Sequence, residues 1–410
     1  MLTSHFPIMT APDDEAHALG ERVRAHAREL GFDAVGIARA DVSLDRDIER
    51  YDAFVGAGMH GEMAWLARHR DARTRLDGDA ILEGAKSVVC LARRYQGSLR
   101  GERAERADGT DATGGTAQAI ARYARGRDYH GFLRQRVRRL AAFIRALGMT
   151  TASARPAEAR PLCDDAPVLE RAWAARAGLG FVGKNGLLIV PGVGSMVLLG
   201  EVVTTLRLEV DAPMVERCGS CRRCLDACPT QAFAAPFVLD PRRCISYLTI
   251  EHRSAVEPSL REGVGEHLFG CDDCQTACPF NAGSTSRAPL WDEDGDPFAP
   301  LERWARLDLE QLLALDELAW EAVSQGTPVK RAGRAGIARN AAIVLGNRGA
   351  SSALPALRQA AATHDDPIVR DAAAWAITRI SAHHDGEERI AAEGAEGAEV
   401  GGGEGRSIPA

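Results

Sequence analysis

The sequence lacks any long apolar run. None of its segments reaches the roughly 18 consecutive apolar residues that a membrane-spanning helix needs. Residues 1–12 also lack a basic start followed by a long apolar stretch, and no twin-arginine pair lies near them. We therefore expect neither a membrane span nor an export signal, and we expect a cytoplasmic protein.

The sequence also lacks an excess of positive charge. It has 50 lysines and arginines against 57 aspartates and glutamates, a formal net charge of −7. The whole surface is therefore not that of a general nucleic-acid binder, and any nucleic-acid surface must be local. The pair Gly183-Lys184 is not part of a phosphate-binding Walker loop, because the required glycine spacing is absent.

Cysteine, in contrast, is concentrated in one stretch. Eight of the ten cysteines lie between residues 218 and 278, in two runs with Cys244 between them. The runs are Cys218-x2-Cys221-x2-Cys224-x3-Cys228-Pro229 and Cys271-x2-Cys274-x3-Cys278-Pro279. The first run has the spacing of two-cluster ferredoxins, in which the fourth cysteine ligates the other cluster.

This spacing predicts two [4Fe–4S] clusters. The predicted ligands of the first cluster are Cys218, Cys221, Cys224 and Cys278. The predicted ligands of the second cluster are Cys228, Cys244, Cys271 and Cys274. Structural zinc usually takes two separated cysteine pairs, and disulfides need an oxidising compartment, so both alternatives fit this stretch poorly. A protein with two such clusters moves single electrons.

The residues before the cysteine stretch alternate between helical and apolar strand patterns. Over residues 13–210 this alternation predicts an α/β or α+β domain. Cys90 lies in the apolar segment 87–92, and we interpret it as a small core residue of a buried strand. The charged segment 96–118 predicts a mobile loop. The basic run 68–75 is either a solvated helix face or an anion site.

Two acidic residues follow a predicted strand at 160–163. Asp164 and Asp165 precede a helix that the pattern predicts from about Pro167 to Gly178. They can cap that helix, or one of them can be a positioned general acid, and the residues alone leave both interpretations open.

A second polar group lies within eight residues of the N-terminal half. It consists of Tyr123, Asp128, Tyr129 and His130. By itself this group is a weak candidate for the edge of a site.

The pattern changes again after residue 329. The motif Arg339-x-Ala-Ala recurs 31 residues later as Arg370-x-Ala-Ala, which predicts two helical repeats of the HEAT type. Residues 330–380 contain eight lysines and arginines against three aspartates, which suits either a phosphate backbone or a solvated helix face. The segment after 382 is rich in glycine, alanine and glutamate, and we expect it to be disordered.

Several motifs together resemble those of the epoxyqueuosine reductase family, the cobalamin-dependent iron–sulfur enzymes of queuosine synthesis in tRNA. Besides the eight cysteines, they are the segments 122–130 (RYARGRDYH), 164–170 (DDAPVLE), 177–184 (AGLGFVGK), 247–251 (YLTIE), 339–342 (RNAA) and 345–347 (LGN). The resemblance covers residues 15 to 380. The sequence departs from the family pattern in the long 96–118 loop, in the acidic tail, and at Asp165, where serine is expected.

The resemblance implies an α+β multidomain fold. An N-terminal α/β cobalamin-binding domain would cover residues 13–210, and a ferredoxin-like domain with two [4Fe–4S] clusters would cover 211–290. HEAT-like α-helical repeats that bind tRNA would cover 300–382, and a disordered acidic tail 383–410. The family also implies a monomer.

The resemblance further implies a reaction. Base-off cobalamin would lie between the first two domains and receive electrons singly from the clusters, which an external reductase, flavodoxin or ferredoxin would supply. The epoxide of epoxyqueuosine in a tRNA anticodon loop would be reduced to a cyclopentene, and its oxygen lost as water. Asp164 would be the acid, with a pKa raised by the corrin and by Asp165.

Contact residues follow from the same resemblance. The expected corrin contacts are Arg73, Asp164, Lys184, Asp272 and Asp273. The expected contacts to the tRNA are Lys330, Arg331, Arg334, Arg339 and Asn340.

Two other functions remain open from the residues. One is a cobalamin reductase of the reductive-dehalogenase type, which usually has an export signal and no basic HEAT module. The other is a non-catalytic ferredoxin fused to a docking scaffold, in which Asp164 is only a cap.

Overall fold

The computed structural model describes residues 12–95, 116–151, 156–164, 166–282 and 296–382. Most of the predicted loop 96–118, the whole tail 383–410 and Asp165 lie outside these residues.

The N-terminal part contains five helices and six strands among the described residues. The helices are α1 (Pro12–Glu29), α2 (Asp45–Gly56), α3 (Arg70–Thr74), α4 (Tyr129–Gly148) and α5 (Glu170–Arg176). The strands are β1 (Ala34–Arg39), β2 (Ser87–Arg94), β3 (Ala159–Leu162), β4 (Phe181–Val182), β5 (Leu188–Ile189) and β6 (Val197–Thr204).

Four of these strands form one sheet in the order β1-β2-β6-β3, and β4 pairs with β5. Every pairing in the four-stranded sheet is antiparallel. The N-terminal part is therefore α+β, and the α/β description expected for it is wrong. The alternation of helix and strand along the chain did not distinguish the two, because it says nothing about strand direction.

The sheet is covered on both faces by helices. Seven of the eight residues of β2 are buried. Val89 and Leu91 point toward one face and pack with α1 and α4, whereas Val88 and Cys90 point toward the other and pack with α2 and α5. The buried position of Cys90 confirms its interpretation as a core residue.

The cysteine region has little regular structure. Its helices are α6 (Arg223–Asp226), α7 (Ile245–Ile250), α8 (Pro258–Val264), α9 (Asp273–Thr276) and α10 (Pro279–Ala282), and its strands β7 (Phe233–Ala235) and β8 (Val238–Leu239) form a hairpin. A short parallel bridge between Ile120 and Phe269 joins this region to the N-terminal part.

The C-terminal part is helical. Its helices are α11 (Glu302–Arg306), α12 (Leu309–Ala314), α13 (Glu317–Ser324), α14 (Gly333–Arg348), α15 (Leu354–Thr363) and α16 (367–382). The first three of these helices are short and separate, because Asp308 and Asp316 cap new N-termini by accepting from Gln311 N and Ala319 N. None of the described helices is long and apolar enough to span a membrane.

Arg339 joins α14 to the cysteine region. Its side chain is 1% exposed. The guanidinium donates to the carbonyl oxygens of His252 at 2.7 Å, Ser254 at 2.8 Å and Leu248. The expected contact of Arg339 with tRNA is therefore wrong, because the whole guanidinium is used inside the protein.

Asn340 has the same structural role. It is 1% exposed, and its amide donates to the carbonyl oxygens of Thr249 and Leu268, both at 2.9 Å. It too cannot contact a tRNA, so the motif that suggested nucleic-acid binding is an interface motif.

Arg339→Ala should lower the free energy of unfolding by about 3 kcal/mol or more, because three buried carbonyl oxygens lose their donor. Denaturant unfolding followed by circular dichroism measures this change. The control is Arg358→Ala on the exposed side of α15, which should stay within about 0.5 kcal/mol of wild type. Equal losses in the two variants would contradict the role of Arg339.

Candidate active site

The four thiols predicted for the first cluster face one cavity. Cys218, Cys221, Cys224 and Cys278 line it together with Ile189, Pro279 and Phe280. Four cysteine sulfurs that converge on one cavity are the donor set that an iron–sulfur cluster requires. The residues present therefore fit a [4Fe–4S] cluster.

Lys184 holds the loop of this first group. Its ammonium donates to the carbonyl oxygens of Gly219 and Cys221, the latter at 2.9 Å. The expected corrin contact of Lys184 does not fit this position, because the ammonium lies beside the first cluster cavity and fixes its loop.

The four thiols predicted for the second cluster also lie close together. Burial raises the pKa of Cys274, and the neighbouring Cys244, Cys224 and Cys228 raise it further. Burial likewise raises the pKa of Cys271 above its usual range. Thiols in such surroundings ionise only when a metal supplies compensating positive charge, so this group fits a cluster as well.

His267 is a neighbour of the second group that sequence reasoning missed. Its Nε2 lies 3.0 Å from Asp273 Oδ2 and 3.8 Å from Cys271 Sγ. These three side chains can hold a metal ion by their spacing alone. Because Cys271 belongs to the second cluster group, we interpret the triplet as the edge of that cluster site.

Asp164 lies at the end of β3 and faces the start of α4. Its φ is +58°, a conformation uncommon for residues with a side chain. Its carboxylate accepts from Tyr129 Oη at 2.8 Å and lies 3.0 Å from His130 Nε2. Helix α5 begins after Leu169 without any side-chain cap, so the alternative that Asp164 is a helix cap is wrong.

His130 lies between two carboxylates. Its Nδ1 is 2.7 Å from Asp128 Oδ1, and Asp128 also caps α4 through His130 N at 3.0 Å. Hydrogen bonds to Asp128 and Asp164 raise the pKa of His130 to about 9. At neutral pH this imidazole is therefore charged and donates from both nitrogens.

The pKa of Asp164 differs from the expectation. Burial raises it, but hydrogen bonds from His130 and Tyr129, and the charges of His130 and Arg331, lower it by more. The net pKa lies below the usual range, so the proton of the pair is on His130. The expected raised pKa of Asp164 is wrong for this arrangement, and the weakly indicated 123–130 segment supplies the missing partner.

The segment that carries His130 also touches the second cluster loop. Asp272, 8% exposed, accepts from Arg122 N at 2.8 Å and from the Arg122 guanidinium at 3.3 Å. The ring of Tyr123 lies 6.1 Å from that of Tyr129, which donates to Asp164. Only a few side chains therefore separate the second cluster group from the acid.

Three other expected corrin contacts are engaged within the protein. Arg73 is 5% exposed, and its guanidinium faces the carbonyl oxygens of Trp65 and Arg68. Asp272 is paired with Arg122, and Asp273 with His267. Direct corrin contact by these side chains does not fit the structure, and of the five expected residues only Asp164 is exposed.

Glu201 is a buried acid that sequence reasoning overlooked. It is 1% exposed in the middle of β6, and neither carboxylate oxygen has a hydrogen-bond partner among the described residues. Burial, with Glu170 and Asp164 nearby, raises its pKa well above the usual range, so the group is neutral. The sequence offered a signal for this buried acid, because Glu201 is an ionisable residue within an otherwise apolar strand segment.

Three of the five expected tRNA contacts do reach the surface. Lys330 pairs with Glu321 at 2.7 Å, and Arg331 pairs with Glu251 and lies 5.9 Å from the ring of Trp65. Arg334 is more enclosed, with a side chain 16% exposed between two acids. Arg331 and Arg334 border an open groove at the start of α14.

Comparison with known families gives three matches along the chain. Residues 217–281 match the 4Fe-4S double cluster binding domain, which confirms the predicted iron–sulfur clusters. Residues 75–164 match the family described as "Epoxyqueuosine reductase QueG, DUF1730". Residues 331–392 match HEAT repeats, which confirms the predicted helical repeat type.

Curated relatives match over most of their length. The epoxyqueuosine reductase of Gloeobacter violaceus is 41% identical over 338 residues, which are 81% of this chain and 97% of the relative. That of Xanthomonas campestris is 37% identical over 91% of this chain and 98% of the relative. That of Escherichia coli is 36% identical over 90% and 92%.

Solved structures give the same result. An epoxyqueuosine reductase with a tRNA-Tyr epoxyqueuosine-modified tRNA stem loop has a TM-score of 0.76 and 30% identity, covering 88% of this chain and 90% of that one. The Streptococcus thermophilus enzyme has a TM-score of 0.71 and 28% identity, with the same coverage.

The fold and the cysteine groups define a class: this is an α+β iron–sulfur oxidoreductase. The comparisons then decide the family. The chain belongs to the epoxyqueuosine reductase family.

Replacing one cysteine from each group should remove one cluster at a time. After anaerobic reconstitution, wild type should hold about eight irons per chain, and Cys218→Ala and Cys244→Ala about four each. Cys90→Ala, which changes a core thiol outside both groups, should keep all of them. Iron and sulfide analysis measures this. Loss of all iron in both cluster variants, with Cys90→Ala unaffected, would contradict two separate sites.

Proposed function

We propose that this chain reduces epoxyqueuosine to queuosine in the anticodon loop of tRNA and releases the epoxide oxygen as water. Membership of the epoxyqueuosine reductase family supports the substrate, and a solved relative is described with an epoxyqueuosine-modified tRNA stem loop. The observation in this chain that carries the proposal is the Asp164–His130 pair beside the second cluster loop.

The proposed path of electrons runs inward from the first cluster. Residues flanking the first group, such as Arg217, Gly219 and Ser220, are exposed, whereas Gly270 and Asp272 beside the second group are buried. An external donor therefore reaches the first cluster more easily, and the second cluster lies on the side of Asp164. The identity of the donor stays a prediction, as does the monomeric state.

The proposed source of the proton is the pair of His130 and Asp164. Conversion of an epoxide to an alkene and water consumes two electrons and two protons. His130 is charged at neutral pH and shares its Nε2 proton with the Asp164 carboxylate, which lies half-exposed at 46%. Asp164 thus presents to a substrate one of the two protons, drawn from His130, and Tyr129 holds the carboxylate in place. The second proton comes from solvent, which reaches the half-exposed Asp164.

Cobalamin remains part of the proposal through the family resemblance alone. When bound, it would supply a reduced cobalt that attacks or reduces the epoxide carbon. Arg73, Lys184, Asp272 and Asp273 have other partners within the protein and do not fit as corrin contacts. Cobalt analysis of the reconstituted chain tests its presence.

The proposed domains follow the three structural parts. The antiparallel sheet and its helices support a catalytic domain over 13–210, the cysteine groups support a ferredoxin-like domain over 211–290, and α11–α16 support a tRNA-binding module over 300–382. Lys330, Arg331 and Arg334 are its candidates for phosphate contacts.

Asp164→Asn should retain both clusters yet lose at least about a hundredfold in turnover, because the amide accepts no proton from His130 for delivery. The assay is anaerobic conversion of epoxyqueuosine tRNA, followed by nucleoside analysis and iron analysis. A variant with full activity would remove the proposed role of Asp164.

The rate of the chemical step should fall as pH rises through about 9, because His130 loses its proton there. Below that pH the His130 imidazole is charged and holds the proton that it shares with Asp164. His130→Gln should be slow and should lack this falling limb. Single-turnover rates against pH measure it, and an identical limb in the variant would assign it to another group.

Lys330→Ala and Arg331→Ala should each weaken tRNA binding and reduce the slope of log affinity against log salt by about 1. Fluorescence anisotropy with a labelled anticodon stem loop at several salt concentrations measures this. Arg28→Ala, exposed on α1, is the matched control. An unchanged slope would show that these side chains are solvated on the protein surface and do not contact the tRNA phosphates.

A further inference from the structure

Exposed apolar side chains concentrate around the first cluster. Nine large apolar side chains are exposed among the described residues, and five of them lie between positions 210 and 238. These five are Val210 (45%), Met214 (38%), Val215 (82%), Phe237 (45%) and Val238 (42%). Single exposed apolar residues are ordinary, but a concentration of them marks an interaction surface.

Hydrogen bonds connect this surface to the first cluster loop. Phe237 N, at the tip of the β7–β8 hairpin, donates to Lys184 O at 2.9 Å. The Lys184 ammonium donates to Cys221 O at 2.9 Å. Val215 precedes Cys218 by three residues, so it lies within about 10 Å of that ligand. The apolar side chains therefore border the first cluster from two segments.

The same surface is basic at its rim. Arg217 and Arg223 are exposed, and their guanidinium groups have no hydrogen-bond or ion-pair partner among the described residues. Arg222 pairs only loosely with Asp226, at 3.7 Å. The carboxylate of the nearby Glu216 accepts a hydrogen bond from Cys218 N. Unpaired arginines are notable here because the whole chain carries a net charge of −7.

We propose that this surface, which we call the donor face (Met214, Val215, Arg217, Arg223 and Phe237), docks a small acidic one-electron carrier. The proposal rests on the proposed function, which needs two single electrons for each epoxide. An apolar centre with a basic rim complements a carrier whose cofactor edge is apolar and surrounded by carboxylates. The small size of the face suits a transient contact, as electron-transfer encounters are small and weak.

Each docking event transfers one electron. The reduced carrier would be oxidised by one electron, and a [4Fe–4S] cluster held by the first group of cysteines would be reduced by that electron from its 2+ to its 1+ state. A second carrier must dock for each epoxide, so the first must leave. A weak and electrostatically steered contact meets this requirement, because steering raises the association rate without a long residence time.

The test is anaerobic stopped-flow reduction of the reconstituted full-length chain. The reductant is an acidic flavodoxin in its hydroquinone state, and the bleaching of the cluster absorbance gives a second-order rate constant. The variants are Val215→Glu, Phe237→Glu and the double variant Arg217→Glu, Arg223→Glu. The matched control is Leu318→Glu on α13, whose side chain is as exposed as that of Val215, at 82%.

Each donor-face variant should lower the rate constant by about tenfold or more at low salt, whereas Leu318→Glu should equal wild type. The wild-type rate should fall as salt rises, and the double arginine variant should lose most of that dependence. Reduction by dithionite, which needs no docking face, should be the same in all forms.

Unchanged flavodoxin rates in Phe237→Glu and in the arginine variant would overturn the proposal. So would a dimer in analytical ultracentrifugation that the same substitutions dissociate, because the face would then be covered by a second copy. If Val215→Glu loses iron, its rate is uninformative. The rate of Phe237→Glu then tests the proposal, because Phe237 is not adjacent in sequence to any predicted cysteine ligand. Failure of the proposed function would give a different result. Dithionite would then reduce the wild-type clusters, but the reduced protein would leave epoxyqueuosine tRNA unchanged.

Discussion

The buried carboxylate of Asp272 is the contact on which the arrangement of the site depends. It follows Cys271, a predicted ligand of the second cluster, and accepts from both the backbone amide and the guanidinium of Arg122. A buried carboxylate without donors is strongly unfavourable, so this contact fixes the loop against the segment that begins at Arg122. That same segment continues to Tyr129 and His130, which hold Asp164. One ion pair thus sets the distance between the predicted second cluster group and the Asp164–His130 pair.

Electrostatics divides the acids of the site into two kinds. Asp164 is half-exposed and accepts from His130 and Tyr129, which lower its pKa, so it stays charged. Glu201, on the neighbouring strand, is buried, has no donor among the described residues and stays neutral. A neutral acid beneath a charged one avoids the repulsion that two buried carboxylates would suffer. The burial of each group, more than its chemistry, therefore assigns its protonation state.

Several cations that resemble ligand-binding groups serve the interior of the protein instead. Arg73, Lys184 and Arg339 each donate to backbone carbonyl oxygens, which irregular loops leave without partners. The cysteine region is mostly such loop, because cluster ligands must approach one point from several directions. Arg339 of α14 therefore donates hydrogen bonds to loop carbonyl oxygens that have no backbone donor. This explains why the HEAT module packs on the iron–sulfur region rather than being tethered to it.

The sequence by itself determined the two clusters, the repeat module and the family, because ligand spacing and helical repeats are local patterns. It also pointed to Asp164, through a motif only. Tertiary structure alone decided the rest. The partnership of His130 with Asp164 joins residues far apart in the chain, and so does the use of Arg339 on loop carbonyls. An arginine in a sequence has the same charge whether it meets a phosphate or a buried carbonyl. Only the folded chain shows which arginines are buried against carbonyl oxygens and which remain exposed for a phosphate.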